Sequence, residues 1–587
     1  MKTHTTPLPH GATTKTTTNR LSASKSKVKK NHKYIFVLGG VMSGVGKGVT
    51  TSSIGLLLEA KGYTVNIVKV DPYLNVDAGT MNPTEHGEVF VLNSGLETDQ
   101  DMGNYERFLN RDIDASGYMT SGMVYKSVID RERSLGYRGK CVEAIPDIRD
   151  EIINRFTASA AVTRSDITLV EIGGTVGDYQ NIMFMEAARV MRIRQPRDVL
   201  FIMVSYLPVP GKLGEMKSKP TQNALRQLNS YGIAADFIIA RSEQPMDEKR
   251  VEKIAVSCGL PNEHVISAPD VDSIYDIPQN FEKRQISRLI LKQLGLKDKP
   301  AKLEAWNTFV KQSKASKNSK KIVKIAVIGK YFDSGDFTLA DSYLSVLEAI
   351  KFSAYKIGVK AEISWINAKQ FENNDHTNAV PQAQVKKVLG TYDGIIVPGG
   401  FGDKGIEGKL AVIQYAREQN VPYFGLCYGM QLLVIEYMRN VIGQKGAHTA
   451  EINPKAVPCV IDIIPDQKKK LAEGNFGGSM RLGGYTAHTK DKTIARSCYK
   501  ASEIIERHRH RYEVNPEYKD MIEKAGLIFS GVSPDGNLAE IAELPQTKHP
   551  FFLATQFHPE FLARPLDPHP LFTEFLKVST SKHSRGK

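Results

Sequence analysis

The stretch Tyr34-Ile-Phe-Val-Leu-Gly-Gly-Val-Met-Ser-Gly-Val-Gly-Lys-Gly-Val-Thr50 decides the fold of the first half of the chain. An apolar run (34–38) leads into a glycine-rich turn, then Lys47, then a helix-like segment that ends near Glu59. This order predicts a strand, a phosphate-binding loop and a helix. Glycines let backbone N–H groups face an anion, and the helix N-terminus adds partial positive charge. A purely structural glycine turn is the alternative, but it does not explain the Gly-Lys pair before a helix.

The loop departs from the strict phosphate-loop pattern G-x-x-x-x-G-K-[ST]. Five residues separate Gly40 from Gly46, and Gly48 stands where the pattern has a metal-binding hydroxyl. Hydroxyls are available nearby, but we expect Mg²⁺ to bind carboxylates elsewhere in the chain.

Candidate carboxylates follow the next apolar runs. A second buried strand is predicted at 64–70, with Lys69 near its end, and Asp99 and Asp101 come after a long loop rich in Gly, Pro and Asn. Glu171 ends another apolar run (167–172), where an acid is costly to bury unless it is paired or bound to a cation. It suits the Mg²⁺-binding role of a nucleotide-binding sheet, and a buried acid held by backbone donors is the alternative.

Two more strands are predicted at 199–205 and 235–240, and the first domain is predicted to end near residue 296. Strands that alternate with helices predict a parallel sheet with ligands at the carboxyl ends of its strands. The loop 214–222 carries Lys217 and Lys219, which would clamp a second polyphosphate or form a solvated basic loop.

The charge and composition exclude several classes of protein. The chain has 587 residues and a net formal charge of +14. Residues 1–33 hold eight Lys or Arg and no acid, 297–322 hold eight Lys against two acids, and the last ten residues add three cations. Because the basicity lies in tails and a linker, we expect no nucleic-acid partner. No apolar run has the length of a membrane span, so no membrane partner is expected.

Five cysteines are scattered without C-x-x-C spacing, which predicts a reducing compartment, the cytoplasm, and neither a disulfide framework nor a zinc site. The N-terminal tail lacks an apolar core, so it is not a secretory signal. A disordered tail is the preferred interpretation and an organelle transit peptide the alternative.

After a lysine-rich linker or hinge at 297–321, the strand and helix pattern restarts at 325–329. The decisive motif of this half is Pro422-Tyr-Phe-Gly-Leu-Cys-Tyr-Gly-Met-Gln431, a strand that enters Gly-x-Cys-x-Gly and then a helix. This is a nucleophile elbow with cysteine in place of serine. The nucleophile is the thiolate, which the partial positive charge of a helix N-terminus would favour.

A thiolate nucleophile needs a base, and Gln556-Phe-His-Pro-Glu-Phe561 supplies one. His558 and Glu560 lie two residues apart, so on an extended segment both side chains face one side. The carboxylate would fix the imidazole tautomer, which predicts a Cys427-His558-Glu560 triad. A lone histidine would more often be structural, and the other four cysteines have no such context.

Both halves together resemble the CTP synthase family from about residue 34 to about residue 578. The motifs that carry this resemblance are Gly39-Gly-Val-Met-Ser-Gly-Val-Gly-Lys-Gly48, Lys69-Val-Asp-Pro-Tyr73, His86-Gly-Glu-Val-Phe-Val91, Glu171-Ile-Gly-Gly-Thr-Val-Gly-Asp178, Lys217-Ser-Lys-Pro-Thr-Gln222, Asp270-Val-Asp-Ser-Ile-Tyr275 and Arg507-His-Arg-His-Arg-Tyr-Glu-Val-Asn515. The resemblance implies an α/β protein with two doubly wound parallel-sheet domains joined by a linker. The first would be a dethiobiotin-synthetase-like amidoligase (34–296), and the second a class I glutamine amidotransferase (322–578), with tails at 1–33 and 579–587.

The resemblance also implies the reaction. The triad would release ammonia from glutamine, ATP would phosphorylate O4 of UTP, and ammonia would displace the phosphate to give CTP. ATP would be bound by Gly44, Val45, Gly46, Lys47, Gly48, Val49, Lys69, Asp101 and Val271, with Mg²⁺ on Asp101 and Glu171. UTP or CTP would be bound by Ser43, Asp178, Tyr179, Gln180, Lys217, Ser218, Lys219, Pro220, Thr221, Gln222 and Lys253. Glutamine would be bound by Gly400, Tyr428, Gly429, Met430, Gln431, Glu451 and Arg509. The family is activated by GTP, inhibited by CTP, and assembles as a homotetramer, a dimer of dimers.

Three positions depart from the family pattern. Gln180 stands where a Glu is usual at the nucleotide site, which bears on feedback inhibition by CTP more than on catalysis. Pro269 replaces a Lys at the adenine site, and His448-Thr-Ala-Glu451 replaces Asn-Ser-x-Glu at the glutamine site.

Two other functions are considered. Another glutamine-dependent amidoligase, such as a cobyrinic-acid amidating enzyme, lacks the Lys217-to-Gln222 loop. A nucleotide-sensing or polymer-forming protein would not need Cys427, His558, Glu560 and Lys47 together.

Overall fold

The computed structural model describes residues 32–211, 214–329, 340–373, 378–400, 402, 405–463 and 480–582. The tail predicted at 1–33 lies outside this part except for His32 and Lys33, which are buried, and the first strand already begins at Lys33. The last helix runs from Pro570 to Lys582. Residues 579–582 of the predicted C-terminal tail therefore continue this helix.

The first half alternates strands and helices, as its sequence pattern predicts. Its elements are β1 (Lys33–Gly39), α1 (Lys47–Ala60), β2 (Val65–Asp71), α2 (Pro83–His86), β3 (Phe90–Val91), β4 (Glu97–Thr98), α3 (Asp101–Leu109), β5 (Tyr118–Thr120), α4 (Ser121–Arg133), α5 (Arg149–Thr163), β6 (Ile167–Ile172), α6 (Ile182–Arg194), β7 (Val199–Tyr206), α7 (Lys219–Ser230), β8 (Phe237–Ser242), α8 (Glu248–Cys258), β9 (Val265–Pro269), α9 (Ile277–Lys283) and α10 (Ile286–Gln293).

Seven of these strands form a parallel sheet in the order β5-β2-β6-β1-β7-β8-β9. Strand β1 is central and buried along its whole length, because helices cover both faces of such a sheet. In the register of β2 and β6, Lys69 lies opposite Glu171. The carboxyl edge of the sheet therefore brings a lysine and a buried acid next to the loop that follows β1.

The second half continues the alternation and then adds antiparallel strands. Its elements are α11 (Glu304–Lys317), β10 (Ile322–Gly329), α12 (Leu344–Ile357), β11 (Lys360–Asn367), α13 (Gln382–Leu389), β12 (Gly394–Val397), α14 (Ile406–Glu418), β13 (Tyr423–Leu426), α15 (Tyr428–Asn440), β14 (His448–Thr449), β15 (Cys459–Ile463), β16 (Arg481–Thr489), α16 (Ile494–Tyr499), β17 (Glu503–His510), β18 (Tyr512–Val514), α17 (Lys519–Lys524), β19 (Ile528–Val532), β20 (Ala539–Glu543), β21 (Phe552–Thr555) and α18 (Pro570–Lys582).

The main sheet of the second half has the order β11-β10-β12-β13-β21-β20-β19-β16-β17. Strands β11 to β21 in this order are parallel, and the remaining four pair antiparallel. The prediction of two parallel-sheet α/β domains is confirmed, and the second sheet carries an antiparallel extension that the sequence patterns did not indicate. Strand β17, at the edge of this extension, supplies Arg507 and Arg509.

The segment predicted as a linker or hinge contains helix α11, and this helix is packed. Trp306 and Phe309 are buried, and the Trp306 Nε1–H donates to the Tyr275 carbonyl oxygen at 3.1 Å. Phe108 from the first half and Phe352 from the second lie in the same apolar cluster. Packing therefore holds this segment between the two halves, in contrast to a loose hinge.

Among the described residues, none of the helices combines the length and the apolar character needed to cross a bilayer.

Candidate active sites

The loop between β1 and α1 has the backbone shape of a phosphate cradle. Gly44 and Gly46 have φ of 71° and 90°, which favours glycine. The buried Lys47 donates from Nζ to the Gly174 carbonyl oxygen at 2.8 Å. Burial lowers the pKa of Lys47, and the negative charge of Glu171 opposes this effect. The loop thus holds a cation at the end of the central strand, next to the 173–178 turn.

Gly48 is required by its surroundings. A Cβ at this position would lie 2.3 Å from Asp101 Oδ1, closer than any real contact allows. The hydroxyl residue of the strict phosphate-loop pattern cannot fit unless Asp101 moves. The departure from that pattern therefore follows from the position of a carboxylate.

The carboxylates of Asp101 and Glu171 both contact the Lys69 ammonium. Lys69 Nζ donates to Asp101 Oδ2 and, at 3.1 Å, to Glu171 Oε1. Burial alone would raise the pKa of Asp101, but Lys69 outweighs it and the pKa is lowered. Asp71 Oδ1 lies 3.6 Å from Lys69 Nζ and completes a buried cluster with one central cation.

This donor set fits Mg²⁺. The described residues contain no group of three or more His, Cys, Asp or Glu side chains arranged to hold a metal by themselves. Mg²⁺ commonly binds one or two carboxylates together with substrate phosphates, and two converging carboxylates beside a phosphate loop provide that arrangement. Asp99, the other acid considered from the sequence, accepts the Asp101 backbone N–H at 2.9 Å.

A cavity of about 300 Å³ adjoins the phosphate loop and contains the predicted adenine-site residue Val271. Its lining includes Thr50 from α1 and Phe281 from α9. Arg241 also lines it, and Arg241 Nη2 donates to Asp270 Oδ1 at 2.6 Å. The size and position of this cavity suit a purine ring whose phosphates extend toward Lys47.

The residues predicted for the second nucleotide are distributed over three segments. Lys217 Nζ donates to Glu215 Oε2 at 2.6 Å. This hydrogen bond lowers the pKa of Glu215, and the charge of Lys253 on α8 adds to the effect. Lys217 is therefore paired with Glu215, and Lys253 acts on this carboxylate only through its charge.

The other predicted contacts of this nucleotide lie on the nearby turns. Ser218 precedes α7, Lys219, Pro220 and Gln222 belong to its first turn, and the buried Thr221 Oγ1 lies 2.8 Å from Ser205 Oγ. Asp178 Oδ2 accepts the Thr175 backbone N–H at 2.6 Å, whereas Tyr179 is 91% exposed. Ser43 and Gln180 are also exposed.

In the second half, Cys427 forms the predicted elbow between β13 and α15. Its backbone has φ 51° and ψ −96°, a strained conformation that points the side chain out of the turn. A Cβ at Gly429 would lie 2.3 Å from the Val397 carbonyl oxygen, and one at Gly425 would lie 2.7 Å from the Tyr423 hydroxyl. Both flanking glycines are therefore needed for space.

His558 and Glu560 lie beside Cys427. His558 Nδ1 is 2.7 Å from Glu560 Oε1, which leaves Nε2, buried and without another hydrogen-bond partner among the described residues, for the thiol. Burial alone would lower the pKa of His558, but the charges of Glu560 and Cys427 raise it to about 10. The pair was expected on an extended segment, and this was wrong, because Glu560 lies in a 3₁₀ turn (Pro559–Leu562).

Two of the residues predicted to bind glutamine, Gly400 and Arg509, line a cavity of about 70 Å³ together with Cys427 and His558. The other predicted glutamine contacts lie outside this lining. Glu451 Oε1 accepts the Gly402 N–H at 2.7 Å, and the Tyr428 hydroxyl donates to the Gly402 carbonyl oxygen at 3.2 Å. Gly429, Met430 and Gln431 lie in the first turn of α15, where the Gln431 Nε2 donates to the Tyr512 carbonyl oxygen at 2.8 Å.

Sequence reasoning missed that the first half contributes to this cavity. Pro83, Glu88 and Val89 line it together with Cys427. The Glu88 carboxylate accepts the backbone N–H of Ser345 at 3.1 Å, and burial raises the pKa of Glu88 to about 7. Glu88 belongs to a recognised motif, but no local pattern indicates which domain its side chain faces.

Both halves of the chain are similar in sequence to known proteins. The family models described as "CTP synthase N-terminus" and "Glutamine amidotransferase class-I" match residues 33–296 and 338–578. A CTP synthase of Thermococcus gammatolerans is 45% identical over 94% of this chain and 100% of its own length, and one of Pyrococcus abyssi is 46% identical over 93% and 98%. A solved structure described as "Trypanosoma brucei CTPS - glutaminase domain with bound acivicin" is 36% identical and covers 44% of this chain and 93% of its own, with a TM-score of 0.39.

A phosphate-loop domain joined to a glutaminase domain defines a glutamine-hydrolysing carbon–nitrogen ligase. The chain belongs to the CTP synthase family, whose reaction is the glutamine-dependent conversion of UTP to CTP with ATP as co-substrate.

Proposed function

We propose that the chain makes CTP from UTP through two linked sites, a Cys427-His558-Glu560 glutaminase and a phosphoryl-transfer site around Lys47, Lys69, Asp101 and Glu171. The observation that carries the proposal is the arrangement at His558. Its Nδ1 is committed to Glu560 at 2.7 Å and its Nε2 is left for the elbow cysteine.

In the glutaminase half, the Cys427 thiolate attacks the side-chain amide carbon of glutamine. His558 gives a proton to the departing nitrogen, so ammonia leaves and a thioester remains. His558 then takes a proton from water, and the thioester is hydrolysed to glutamate and free Cys427. Backbone N–H groups at Gly400 and Tyr428 suit the oxyanion, because one lies beside the cavity and the other begins α15.

In the amidoligase half, O4 of UTP attacks the γ-phosphorus of ATP and ADP leaves. Lys47 and Lys69 offset the negative charge on the transferring phosphoryl group. Mg²⁺, held by Asp101 and Glu171, would supply further charge neutralisation there. Ammonia attacks C4 of the 4-phosphorylated UTP, loses a proton, and expels phosphate to leave CTP.

Several further properties belong to the proposal and are supported by family membership. These are activation by GTP, assembly as a homotetramer that is a dimer of dimers, and a cytoplasmic location. The remaining predicted contacts of ATP, UTP and glutamine are proposed with the roles given above.

The test uses purified full-length protein with ATP, Mg²⁺, UTP and either glutamine or ammonium chloride. CTP formation is followed by the change in absorbance from uracil to cytosine. Substitution Cys427→Ala should abolish glutamine-dependent turnover and retain ammonia-dependent turnover. Absence of CTP with either nitrogen source would contradict the whole proposal, and CTP from ammonia alone in the unsubstituted protein would remove the glutaminase.

A further inference from the structure

Arg509 is the one arginine among the described residues that line the cavity around Cys427. Its backbone carbonyl oxygen lies 3.8 Å from Cys427 Sγ, so Arg509 starts beside the nucleophile. A guanidinium binds a carboxylate through two parallel N–H donors, which suits the α-carboxylate of an amino acid. Such recognition depends on the plane in which the guanidinium is held.

That plane is set from the other half of the molecule. Arg509 Nε donates to Glu97 Oε1 at 2.8 Å. The Glu97 side chain is 3% exposed and the Arg509 side chain 13%. Glu97 lies on β4, in the amidoligase half, so the contact crosses the interface between the two enzymes. Burial raises the pKa of Glu97, and the charge of Arg509 acts against this rise.

The hairpin that carries Glu97 is closely docked. Strands β3 and β4 pair antiparallel and turn at Gly95, which has φ 89°. A Cβ at Gly95 would lie 2.8 Å from the Leu482 carbonyl oxygen on β16, and the Gly484 N–H donates to the Asn93 carbonyl oxygen at 2.9 Å. Backbone contacts therefore fix the hairpin on the glutaminase half. The position of the Glu97 carboxylate is fixed with it.

We infer that Glu97 is a positioning residue of the glutaminase, supplied by the amidoligase half. By binding Nε, it sets the guanidinium plane of Arg509, so that the terminal N–H groups meet the α-carboxylate of glutamine in one geometry. The inference rests on the proposed role of Arg509 in glutamine binding. It makes glutamine affinity depend on a side chain that belongs to the other catalytic domain.

A purely structural role for Glu97 makes a different prediction. A carboxylate that only docks the two halves would affect both reactions or the stability, as any other interface carboxylate would. Asp112 is such a carboxylate, since its Oδ1 lies 2.9 Å from Arg507 Nη2 and also contacts Arg564. Its ion pairs among the described residues are with Arg507 and Arg564 and not with Arg509, so Asp112→Asn is a control at the same interface.

The experiment measures glutamate release and CTP formation by the full-length Glu97→Gln variant at saturating ATP and UTP. Gln keeps the shape of the side chain and removes its charge. The KM for glutamine should rise about tenfold, because a hydrogen bond between charged groups is replaced by a neutral one. The kcat with ammonium chloride should stay within about twofold. Glu97→Asp keeps the charge and withdraws it by one methylene. Its KM for glutamine should lie between those of the unsubstituted protein and of Glu97→Gln.

The following outcomes decide the inference. An unchanged KM for glutamine in Glu97→Gln would overturn it, and so would an equal rise in Asp112→Asn. Arg509→Met is measured in parallel, and adding Glu97→Gln to it should raise the KM no further. If Arg509→Met leaves the KM unchanged, the proposed role of Arg509 is wrong, which differs from a failure of Glu97 alone. If Glu97→Gln does not fold, the inference is decided by Glu97→Asp, from its KM for glutamine relative to that of the unsubstituted protein.

Discussion

At the scale of single residues, His558 is a buried histidine whose pKa is raised by its neighbours. Its imidazole is buried between the Glu560 carboxylate and the Cys427 thiol. Burial disfavours the charged ring, yet the two neighbours raise its pKa to about 10. Around neutral pH the raised pKa keeps the imidazole protonated, so His558 can give a proton to the departing nitrogen.

We expect Glu560→Gln to move the alkaline limb of the glutaminase kcat/KM profile to lower pH. Removal of the carboxylate lowers the pKa of His558 from about 10 toward its ordinary value of about 6.5. The measurement is glutamate release as a function of pH. An unshifted limb would contradict the assignment, and the exposed Glu503→Gln on β17 is the control that should leave the limb in place.

The raised pKa of His558 also makes the stability of the fold depend on pH. A raised folded-state pKa means that the protonated ring stabilises the fold. This contribution to the free energy of unfolding is present in full below about pH 6.5 and is lost as the pH rises through about 10. Thermal unfolding of Glu560→Gln should show a smaller loss of stability over that range.

Gly48→Ser would restore the phosphate-loop pattern and should nevertheless impair the enzyme. The added Cβ would lie 2.3 Å from Asp101 Oδ1 and displace that carboxylate. CTP formation with ammonia should fall by about 100-fold, because phosphoryl transfer tolerates little misplacement. Gly55→Ala on the same helix is the control, since its Cβ would meet a movable Ile67 methyl at 3.2 Å. Full activity of Gly48→Ser would show that Asp101 has no role.

At the scale of elements, the elbow at Cys427 depends on close backbone packing. Helix α15 crosses β12 so tightly that Gly429 has no room for a side chain. The strained φ of Cys427 persists because the parallel pairing of β13 with β21 and the start of α15 hold both ends of the turn.

Gly429→Ala should therefore destabilise the protein, although Ala usually favours a helix over Gly by about 1 kcal/mol. The new Cβ would lie 2.3 Å from the Val397 carbonyl oxygen, which is backbone and cannot move away cheaply. We expect a lower melting temperature and loss of glutaminase activity, with ammonia-dependent CTP formation less affected. Gly211→Ala, whose Cβ would meet no atom within 4 Å, serves as the comparison. An unchanged melting temperature in Gly429→Ala would contradict this account.

Elements of this kind could be predicted because their signals are local. The phosphate loop and the elbow each combine a strand, a glycine turn and a helix within about twenty residues. The antiparallel extension could not be predicted, because β16 joins it through a pairing distant in sequence, His488 with Val532. For the same reason Glu88 gave no sign that it reaches the glutaminase cavity, and Glu97 gave no sign that it pairs with Arg509.

At the scale of the whole molecule, one arginine ties the two halves together. The fully buried Arg507 donates to Glu106 Oε2 and Asp112 Oδ1, both at 2.9 Å, and to the Val91 carbonyl oxygen at 3.1 Å. The His558 backbone N–H donates to the Arg507 carbonyl oxygen at 2.8 Å. The residue that anchors the interface thus also holds the catalytic segment.

Arg507→Met should leave Glu106 poorly compensated in the interface and destabilise the docked state by about 3–5 kcal/mol. Calorimetry should then resolve separate melting of the two halves, because their contact is weakened. Asp112→Asn should have a smaller effect, since that side chain is 44% exposed. If Arg507→Met and the unsubstituted protein have the same melting transitions, the ion pair of Arg507 with Glu106 contributes little to docking of the two halves.

The packed helix α11 also limits how the gene could be divided into two open reading frames. Residues before the helix are pinned to the amidoligase, where the Tyr63 hydroxyl donates to the Lys297 carbonyl oxygen at 2.5 Å and the Lys302 N–H to the Ala60 carbonyl oxygen at 2.9 Å. Trp306 and Phe309 share their cluster with Phe352 of the glutaminase. A break between Lys302 and Glu304 would separate the helix from Phe108 and Tyr275 of the amidoligase, and a break after Lys317 would separate it from Phe352 of the glutaminase, so either break divides one apolar cluster between two polypeptides.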